Sequence, residues 1–442
     1  MTVDDTSPVE PEEIPESTAL KVDEPRDGMP DVIETNAALA HAADLLRKGS
    51  GPVALDAERA SGFRYSQRAY LIQLKREGSG LFLIDPLCFD NLEPIARSLD
   101  GVDWILHAAS QDLVCLAEAG LHPTAALFDT ELAGRLLNYP RVGLGTLVES
   151  QLGFALAKEH SAADWSKRPM PDSWLRYAAL DVEFLIELWD VIQQQLHDAG
   201  KYEMAIQEFN HVKEHTAPIE RAEPWRRTSG LHKVRKPHDL AFVRELWTAR
   251  DNLARELDTA PGRLLSDAHM LPMAIEAAES EPGASVAALD SRAAKRHQRV
   301  WRDAIRRAQA LNQNDWPAAK VHSDSPPPVR AWIDRAPESY AALEYARTKI
   351  AEVSAALGIP PENIVTPESV RRVLWKPPAS PDEITHRLLE LHVRPWQHEI
   401  VKPILVDALW HRPATATKAQ EEVDDNLQGG DLSVTPDNTD SV

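Results

Sequence analysis

Apolar and polar residues alternate along this chain with two different periods, and the change of period divides the sequence into segments. Short apolar runs bounded by Gly, Pro, Ser or Asp predict strands at residues 53–58, 69–75, 81–85, 104–108 and 126–128. Apolar residues three or four positions apart predict helices at residues 37–48, 91–99, 111–119, 130–138, 144–151 and 172–197. The first three strands are close enough for antiparallel hairpins, and helices separate the later ones. Residues 36–212 should therefore form a mixed sheet covered by helices.

Beyond this region the pattern is helical, at residues 239–315 and again at 331–412, with a Pro-rich linker at 316–330 between them. Residues 213–238 are basic and rich in turn residues, which is typical of a linker, and Trp225 should be exposed there. This linker lies either along a nucleic acid or as a surface strap against acidic neighbours. The predicted fold class is α/β followed by two all-α helical domains.

Charge changes this picture only at the two ends of the chain. Residues 1–35 hold 11 acidic and 2 basic residues, and residues 413–442 hold 7 acidic residues and 1 basic residue. Both segments contain few large apolar residues, so we expect disordered acidic tails. They carry most of the net charge of −21, which therefore does not exclude a nucleic-acid-binding face between them.

The remaining composition, 43% hydrophobic and 26% charged, is that of a soluble globular protein. The sequence has no apolar run long enough for a membrane span and no basic-then-apolar signal at its start. We therefore expect a cytoplasmic protein with no membrane partner. Cys88 and Cys115 lie among apolar residues and should be buried thiols.

Candidate chemistry begins with Asp56 and Glu58, which follow three apolar residues at the end of the first strand. The period of two places both carboxylates on one side of the strand, where they repel each other. A divalent cation between them would remove that repulsion. The alternative is a solvated strand end with two surface acids.

Two further places supply acids at suitable positions. Asp112 follows the strand that ends at His107, and the carboxyl ends of strands favour ligand sites, although a carboxylate in a first helical turn also complements the helix dipole. Tyr177 and Asp181 lie four residues apart on one helix face, as a site pair or as a structural hydrogen bond. Asp129 precedes a helical run and should be a helix cap outside the metal set.

In this order, the motifs resemble the ribonuclease D family of 3′–5′ exonucleases, of the type that carries four acids and a tyrosine. Asp56-x-Glu58, then Asp112, then Tyr177-x-x-x-Asp181 match the family, as does the segment Asp-Trp-Ser-Lys-Arg-Pro at residues 164–169. The resemblance covers residues from about 50 to 200. It implies a ribonuclease H-like mixed sheet flanked by helices.

The resemblance also implies a role for each of the five residues. Asp56, Glu58, Asp112 and Asp181 would ligate two divalent cations, Mg²⁺ or Mn²⁺, and Tyr177 would orient the attacking water. Hard oxygen ligands favour these cations over zinc, and hydrolysis of a phosphodiester needs the charge stabilisation that they provide. The sequence departs from the family at Arg59, because many members have an apolar residue after the Glu.

The helical regions resemble accessory domains of the same family. Residues 258–267 resemble the HRDC domain that follows ribonuclease D catalytic domains, and residues 357–363 and 394–397 resemble a divergent second HRDC-like domain. Five bases that recur every three or four residues on one helix face are either a track for phosphates or a solvated face. Including these five, the candidate nucleic-acid contacts are Arg59, His107, Trp165, Lys167, Arg168, Arg292, Lys295, Arg299, Arg302 and Arg306.

The sequence thus predicts a 3′–5′ exoribonuclease that releases nucleoside 5′-monophosphates from RNA with a single-stranded 3′ end, such as a tRNA precursor or an RNA in turnover. A DNA 3′–5′ exonuclease is an alternative, because the same acids serve both substrates and no residue declares recognition of the 2′-hydroxyl. A nucleic-acid-binding protein with a decayed exonuclease domain is a second alternative.

Overall fold

The computed structural model describes residues 19–157, 163–216, 222–281, 283–320 and 325–411. Contacts divide the chain into two compact units, residues 1–321 and 322–442. In the described ranges, the first unit holds all the strands and thirteen α-helices, and the second unit holds six α-helices. Within these ranges, no helix is both long and apolar enough to cross a bilayer.

A six-stranded mixed sheet forms the centre of the first unit. The strands of the unit are β1 Leu20–Val22, β2 Val32–Ile33, β3 Ser50–Arg59, β4 Ala69–Glu77, β5 Gly80–Ile84, β6 Trp104–Leu106, β7 Leu127–Asp129 and β8 Phe154–Leu156. The sheet order is β2-β5-β4-β3-β6-β7, while β1 and β8 form a separate parallel pair. β3, β4 and β5 are antiparallel neighbours, and β6 and β7 run parallel to β3. The predicted mixed sheet is therefore confirmed.

Eight helices cover the two faces of this sheet. They are α1 Asn36–Lys48, α2 Glu93–Ser98, α3 Leu113–Glu118, α4 Thr130–Leu136, α5 Leu144–Leu152, α6 Asp172–Glu183, α7 Leu185–Asp198 and α8 Tyr202–His215. The single helix predicted at residues 172–197 is wrong, because Phe184 leaves the helical conformation (φ −110°, ψ 4°) and separates α6 from α7. Its ring stacks on Phe154 with 4.7 Å between the ring centroids.

Alternation along β3 decides which side chains reach the core and which reach the site. Val53, Leu55 and Ala57 are buried in the cluster beneath α1, α2 and α3. Since successive side chains of a strand point to opposite faces, Asp56 and Glu58 lie on the other face. That second face is covered by α6, whose Ala178 and Ala179 pack in a separate cluster.

The predicted disorder of residues 1–35 is wrong for the part that the structure describes. β1 pairs with β8, and β2 pairs with β5 at the edge of the main sheet. Between them, Arg26 donates a 3.0 Å hydrogen bond to Glu183, which is only 2% exposed. Acidic composition predicts solvation, but tertiary pairing decides the outcome here. Residues 1–18 and the predicted tail at 413–442 lie outside the described residues.

The rest of the first unit is a helical domain with its own core. Its helices are α9 Pro237–Glu256, α10 Pro261–Leu264, α11 Asp267–Glu279, α12 Arg292–Lys295 and α13 Gln298–Gln309. Trp225, predicted to be exposed in a linker, is only 4% exposed and packs in this core. The prediction failed because the Arg-rich neighbours suggested solvent, whereas Arg226 lies over the indole ring at 4.2 Å.

The second unit is all-helical in its described residues. Its helices are α14 Trp332–Arg335, α15 Pro337–Leu357, α16 Pro361–Ile364, α17 Pro367–Trp375, α18 Pro381–Glu390 and α19 Pro395–Val406, followed by a π-helical turn at Asp407–His411. Trp332 is fully buried and its ring centroid lies 5.0 Å from that of Trp375. The predicted helical architecture of this region is confirmed.

Candidate active site

The first two acids owe their position to β3 and its register with β4. Asp56 faces Gln73 across the β3–β4 pair, and Glu58 faces Leu71. The register shifts directly after Glu58, which marks an irregularity at Arg59. Such an irregularity re-aims the side chain that follows it.

Asp112 is placed by a sharp turn after β6. Ala108 adopts a left-handed conformation (φ 57°), and a single 3-10 turn then leads to Asp112 at the start of α3. Its side chain makes no capping hydrogen bond to that helix and instead shares a hydrogen bond with Asp56. Asp112 thus stands at the helix start, as the structural alternative expects, but its carboxylate interacts with Asp56 and not with the first N–H groups of the helix.

Asp129 holds that turn from behind. Its carboxylate accepts hydrogen bonds from Ala108 N at 3.1 Å and Ala109 N at 2.8 Å, and it also caps α4 through the N–H groups of Glu131 and Leu132. Burial raises the pKa of Asp129 to about 6, although these N–H donors act to lower it. The predicted cap role is confirmed, and Asp129 additionally fixes the turn that delivers Asp112.

Helix α6 contributes Tyr177 and Asp181 from the opposite side. Their spacing of four residues aligns them one turn apart, and the phenol and carboxylate share a hydrogen bond. Leu180 on the adjacent face is buried at 3% exposure. The predicted face of this helix is therefore confirmed, and it points its polar pair at β3.

The five predicted residues line one cavity of about 460 Å³. One carboxylate oxygen from each of Asp56, Glu58 and Asp181 lies within 4.8 Å of the other two. Asp112 joins them through Asp56, and Tyr177 joins them through Asp181. The structure thus brings together three motifs that together span more than 120 residues of the sequence.

Crowding of these acids disfavours their charged forms. Burial and the charges of Asp56, Asp181 and Asp112 raise the pKa of Glu58 to about 10, with only Arg59 opposing them. Burial also raises the pKa of Asp56 to about 6 and those of Asp112 and Asp181 well above the ordinary range. For all four groups to be ionised together, a positive charge must lie in the cavity.

The donor set fits a hard divalent cation. Three of the four acids offer oxygens at mutual distances that one ion can span, and oxygen ligands are those preferred by Mg²⁺ and Mn²⁺. Gln73, the cross-strand neighbour of Asp56, is fully buried, and neither polar atom of its amide has a hydrogen-bond partner among the described residues. Buried amides are normally paired, so the Gln73 amide offers hydrogen-bonding atoms beside Asp56 that suit a hydrated cation.

Arg59 lies against the acids. Its guanidinium is 4.0 Å from Asp112 Oδ1, and its side chain is about one-quarter exposed, at 27%. Arg59, at which the sequence departs from the family pattern, therefore places a guanidinium group in the cavity. This position is compatible with the predicted contact to a nucleic acid.

The predicted nucleic-acid contact of Trp165 is wrong, whereas that of the exposed Arg168 stays a prediction. Trp165 is fully buried, with its ring centroid 5.4 Å from that of Trp174, so it has no face for a base. Arg168 pairs with the buried Asp85 and donates to the backbone oxygens of Tyr70 and Trp165. Both residues fasten their loop to the sheet.

The other two contacts predicted in this region have different surroundings. His107 lines the cavity, but burial lowers its pKa to about 4, and its Nδ1 lies 2.9 Å from Thr130 Oγ1. A neutral imidazole cannot serve as a cation for phosphate at neutral pH. Lys167 is exposed, with its Nζ 5.9 Å from the centroid of the Trp174 ring.

The predicted row of five bases is not on one continuous helix. α12 ends at Lys295 and α13 begins at Gln298, because His297 leaves the helical conformation (φ −123°, ψ 29°). Arg299, Arg302 and Arg306 share one face of α13, while Arg292 and Lys295 belong to α12. All five are exposed. Arg306 is paired with Asp303.

The structure also shows contributions that the sequence interpretation missed. Ser61, Gly62 and Phe63 line the cavity, as do Leu144 and Ala163. An aromatic residue beside a glycine, four positions beyond Arg59, was the available signal for Phe63.

A second group of possible metal ligands consists of Glu34, Asp85 and Cys88, but Asp85 already accepts hydrogen bonds from Arg168 and from Leu87 N. Cys88 is exposed, so the prediction of a buried thiol is wrong for Cys88 and correct for Cys115.

Comparison with known proteins agrees with this geometry. Residues 30–197 match the family profile "3'-5' exonuclease", residues 239–281 match "HRDC domain", and residues 325–409 match "3' to 5' exonuclease C-terminal domain". The chain is 32% identical to the ribonuclease D of Cronobacter turicensis over 234 residues, which are 52% of this chain and 62% of that protein. The match thus spans less than two thirds of that relative.

Two solved structures resemble the chain over nearly its whole length. A protein from Bifidobacterium adolescentis is 34% identical, with a TM-score of 0.78 over 88% of this chain and 99% of its own. Escherichia coli RNase D, described as an exoribonuclease involved in structured RNA processing, has a TM-score of 0.64 and shares the fold at 23% identity, over 87% of this chain and 99% of its own. With four acids and a tyrosine gathered in one cavity, the chain contains a 3′–5′ exonuclease domain followed by an HRDC domain, and its sequence is similar to those of ribonuclease D proteins.

Proposed function

We propose that the protein removes nucleotides one at a time from RNA 3′ ends by hydrolysis that depends on two divalent cations, Mg²⁺ or Mn²⁺. Asp56, Glu58, Asp112 and Asp181 are the proposed ligands. The observation that carries this proposal is the set of three carboxylate oxygens within 4.8 Å of one another. When bound, the cations supply charge neutralisation on the scissile phosphate and make water more acidic.

The chain's own groups do the rest. Tyr177 is hydrogen-bonded to Asp181, and burial raises the pKa of its phenol, so the hydroxyl remains protonated. A neutral hydroxyl at this point can orient a water molecule toward the phosphate. The Arg59 guanidinium at the cavity wall can contact a phosphate oxygen through charge-assisted hydrogen bonds.

The proposed substrate is RNA with a single-stranded 3′ end, for instance a tRNA precursor. A strand must enter the cavity unpaired, because the acids are half-buried or buried. The exposed bases of α12 and α13 can contact the phosphates of the RNA body. We propose the cytoplasm as the place of this activity.

Substitution of Asp56 tests the proposal directly. Asp56→Asn should lower the Mg²⁺-dependent shortening of 5′-labelled RNA by at least about 100-fold, because one ligand charge is lost. The control is Asp172→Asn, which removes an exposed carboxylate from the first turn of α6 and should keep near-normal activity. Matched activity of Asp56→Asn and wild type would exclude Asp56 from the metal site.

The same variant separates loss of chemistry from loss of folding. In EDTA, Asp56→Asn should melt no lower than wild type, because it removes one charge from a cluster whose members already resist ionisation. Added Mg²⁺ should raise the melting temperature of wild type more than that of the variant. RNA and DNA oligonucleotides of matched sequence, compared in the same assay, measure the preference for the 2′-hydroxyl. Faster cleavage of DNA would contradict the proposed RNA substrate.

A further inference from the structure

Arg59 departs from the alternation of its strand. Since successive side chains of β3 point to opposite faces of the sheet, the position after Glu58 should share the core face of Ala57. The register breaks at this point, because Glu58 faces Leu71 while Arg59 faces Ala69. The Arg59 side chain lines the carboxylate cavity together with Glu58 and is 27% exposed. The break in register therefore brings a permanent cation to the acids.

The partner of this cation is Asp112. The guanidinium lies 4.0 Å from Asp112 Oδ1, and this is the ion pair that the four acids make within the described part of the chain. Burial raises the pKa of Asp56, Glu58 and Asp112, and the positive charge of Arg59 opposes that rise in all three. Arg59 thus offsets part of the repulsion among these carboxylates.

The pair of Arg59 and Asp112 is loose. Hydrogen bonds between a guanidinium and a carboxylate measure about 2.7–2.9 Å, so a separation of 4.0 Å indicates attraction by charge without a direct hydrogen bond. The Asp112 side chain is only 8% exposed, whereas that of Arg59 reaches solvent. An arginine held in this way can leave the carboxylate at small cost when the carboxylate gains a stronger partner.

A divalent cation is such a partner for Asp112. Two positive charges a few ångströms apart repel each other, so a cation bound by Asp112 competes with a guanidinium 4.0 Å from the same carboxylate. The displaced guanidinium stays in the cavity, because its backbone ends β3. There it can meet the phosphate of the substrate, whose oxygens suit its flat, forked group.

We propose that Arg59 is a counter-ion that pairs with Asp112 until a divalent cation binds there and then transfers to a phosphate of the RNA. This inference rests on the proposed function for its cation and its substrate. It makes the two ligands cooperative, because the cation releases the group that contacts the RNA. Coupling between two ligands is reciprocal, so bound RNA strengthens cation binding by the same factor.

The first test uses the cation alone. Mn²⁺ is titrated into the full-length protein by calorimetry, without RNA. Arg59→Gln removes the competing charge and should bind Mn²⁺ about tenfold more tightly than wild type, whereas Arg59→Lys, which keeps the charge, should stay within about threefold. In EDTA, Arg59→Gln should melt at a lower temperature, because Asp112 loses its counter-ion.

The control is Arg97→Gln, which removes an equal charge from the exposed Arg97–Glu93 pair on α2. It should match wild type both in Mn²⁺ affinity and in melting temperature.

The second test adds an RNA whose terminal linkage is a phosphonate, with a methylene group in place of the 3′-oxygen. This linkage keeps the charge and prevents hydrolysis. Affinity is measured by fluorescence anisotropy in EDTA and in Mn²⁺. Arg59→Gln should weaken RNA binding by about tenfold in Mn²⁺ and by less than about threefold in EDTA, where Asp112 holds the guanidinium.

Asp112→Asn tests the pair from its other side. In EDTA this variant frees the guanidinium, so it should bind the same RNA severalfold more tightly than Asp181→Asn. Asp181→Asn removes an equal charge from the cavity and leaves the pair of Arg59 and Asp112 intact. This comparison does not depend on whether Arg59→Gln folds.

Unchanged or weaker Mn²⁺ binding by Arg59→Gln would overturn the inference. So would an equal loss of RNA affinity with and without Mn²⁺, or equal RNA affinities of Asp112→Asn and Asp181→Asn in EDTA. A wild-type protein that neither binds Mn²⁺ nor shortens RNA would instead overturn the proposed function. The two failures are therefore distinguishable.

Discussion

The turn between α9 and α10 and the turn between α15 and α16 have nearly the same backbone in the two helical domains. Each long helix is followed by a residue of positive φ, Asp258 at 42° in the first and Gly358 at 56° in the second. Each one-turn helix begins with proline, at Pro261 and Pro361. The comparison isolates the effect of side chains, because the scaffold is common to both.

The side chains of the two turns do different things. The first turn makes three hydrogen bonds to residues 60–68, the cavity loop that follows β3. Asp258 accepts from Ser66 N, Ala260 N donates to Phe63 O, and Arg263 donates to Gly62 O. The corresponding residues of the second turn are Gly358, Pro360 and Asn363, which offer neither a charge nor, at the proline, an N–H. Asn363 O accepts a hydrogen bond from Gln397 of the same unit at 2.9 Å. One copy of a common turn is thus specialised for contact with the active site, and the other stabilises its own domain.

The strongest test of this difference converts the first turn into the second. Asp258→Gly combined with Arg263→Asn removes two charged partners of the cavity loop, and charge-assisted hydrogen bonds contribute about 1.5–3 kcal/mol each. We expect kcat/KM for RNA to fall by about tenfold or more. Progressive shortening of 5′-labelled RNA measures it. Activity within twofold of wild type would show that the contacts only join the domains.

A single exchange in the second turn should affect stability and leave catalysis unchanged. Gly358→Ala places a side chain at φ 56°, which costs about 1–2 kcal/mol in the left-handed region. We expect a lower midpoint of urea unfolding for the second unit and kcat/KM within about twofold of wild type. A large loss of activity from this change would contradict the assignment of the second turn to structure alone.

The corresponding exchange in the first turn, Asp258→Gly alone, should lower catalysis and leave stability nearly unchanged. The glycine relieves the left-handed conformation while the bonds to Ser66 and Tyr70 are lost, so the two effects on stability partly cancel. We expect a melting temperature within a few degrees of wild type and a severalfold lower kcat/KM. Asp258→Asn keeps the hydrogen-bonding shape without the charge, so its kcat/KM should fall between those of wild type and Asp258→Gly.

The smallest expected effect concerns pH. Burial acts to raise the pKa of Asp258, but the Ser66 N–H and Arg68 outweigh it and bring the pKa below 3.8. Since the folded-state pKa is the lower one, this stabilisation is present above pH 3.8 and is lost as the pH falls through the folded value. The free energy of unfolding in urea should be measured for wild type and Asp258→Asn between pH 5 and pH 3. The difference between the two proteins should shrink as the pH falls. A constant difference would exclude a role for the charge.

Local rules predicted which acids share a face, and the resemblance to ribonuclease D selected them as members of one site. A strand period of two placed Asp56 and Glu58 on one face, and a helical spacing of four aligned Tyr177 with Asp181. Both rules act within a few residues, so long-range packing does not alter them. The mixed sheet followed for the same reason, since its strands and helices differ clearly in period.

Packing between distant segments was beyond those rules. Trp165 and Trp225 stand near cations in the sequence, yet both are buried. Arg168 donates to the backbone oxygen of Trp165, and Arg226 lies over the Trp225 ring. The hold of Arg263 on Gly62 joins residues 201 positions apart. Such contacts depend on where two domains meet, which neither composition nor periodicity encodes.

The pairing of Arg26 with Glu183 sets where the chain can be shortened. Glu183 is almost fully buried and is shared by Arg26 and Lys75, whose Nζ lies 2.7 Å from Glu183 Oε2. A protein that starts at residue 36, as composition would recommend, lacks β1, β2 and one of these two cations. Truncation in front of Leu20 keeps β1, β2 and Arg26, so the acidic residues before Leu20 can be removed for crystallisation while both strands are retained.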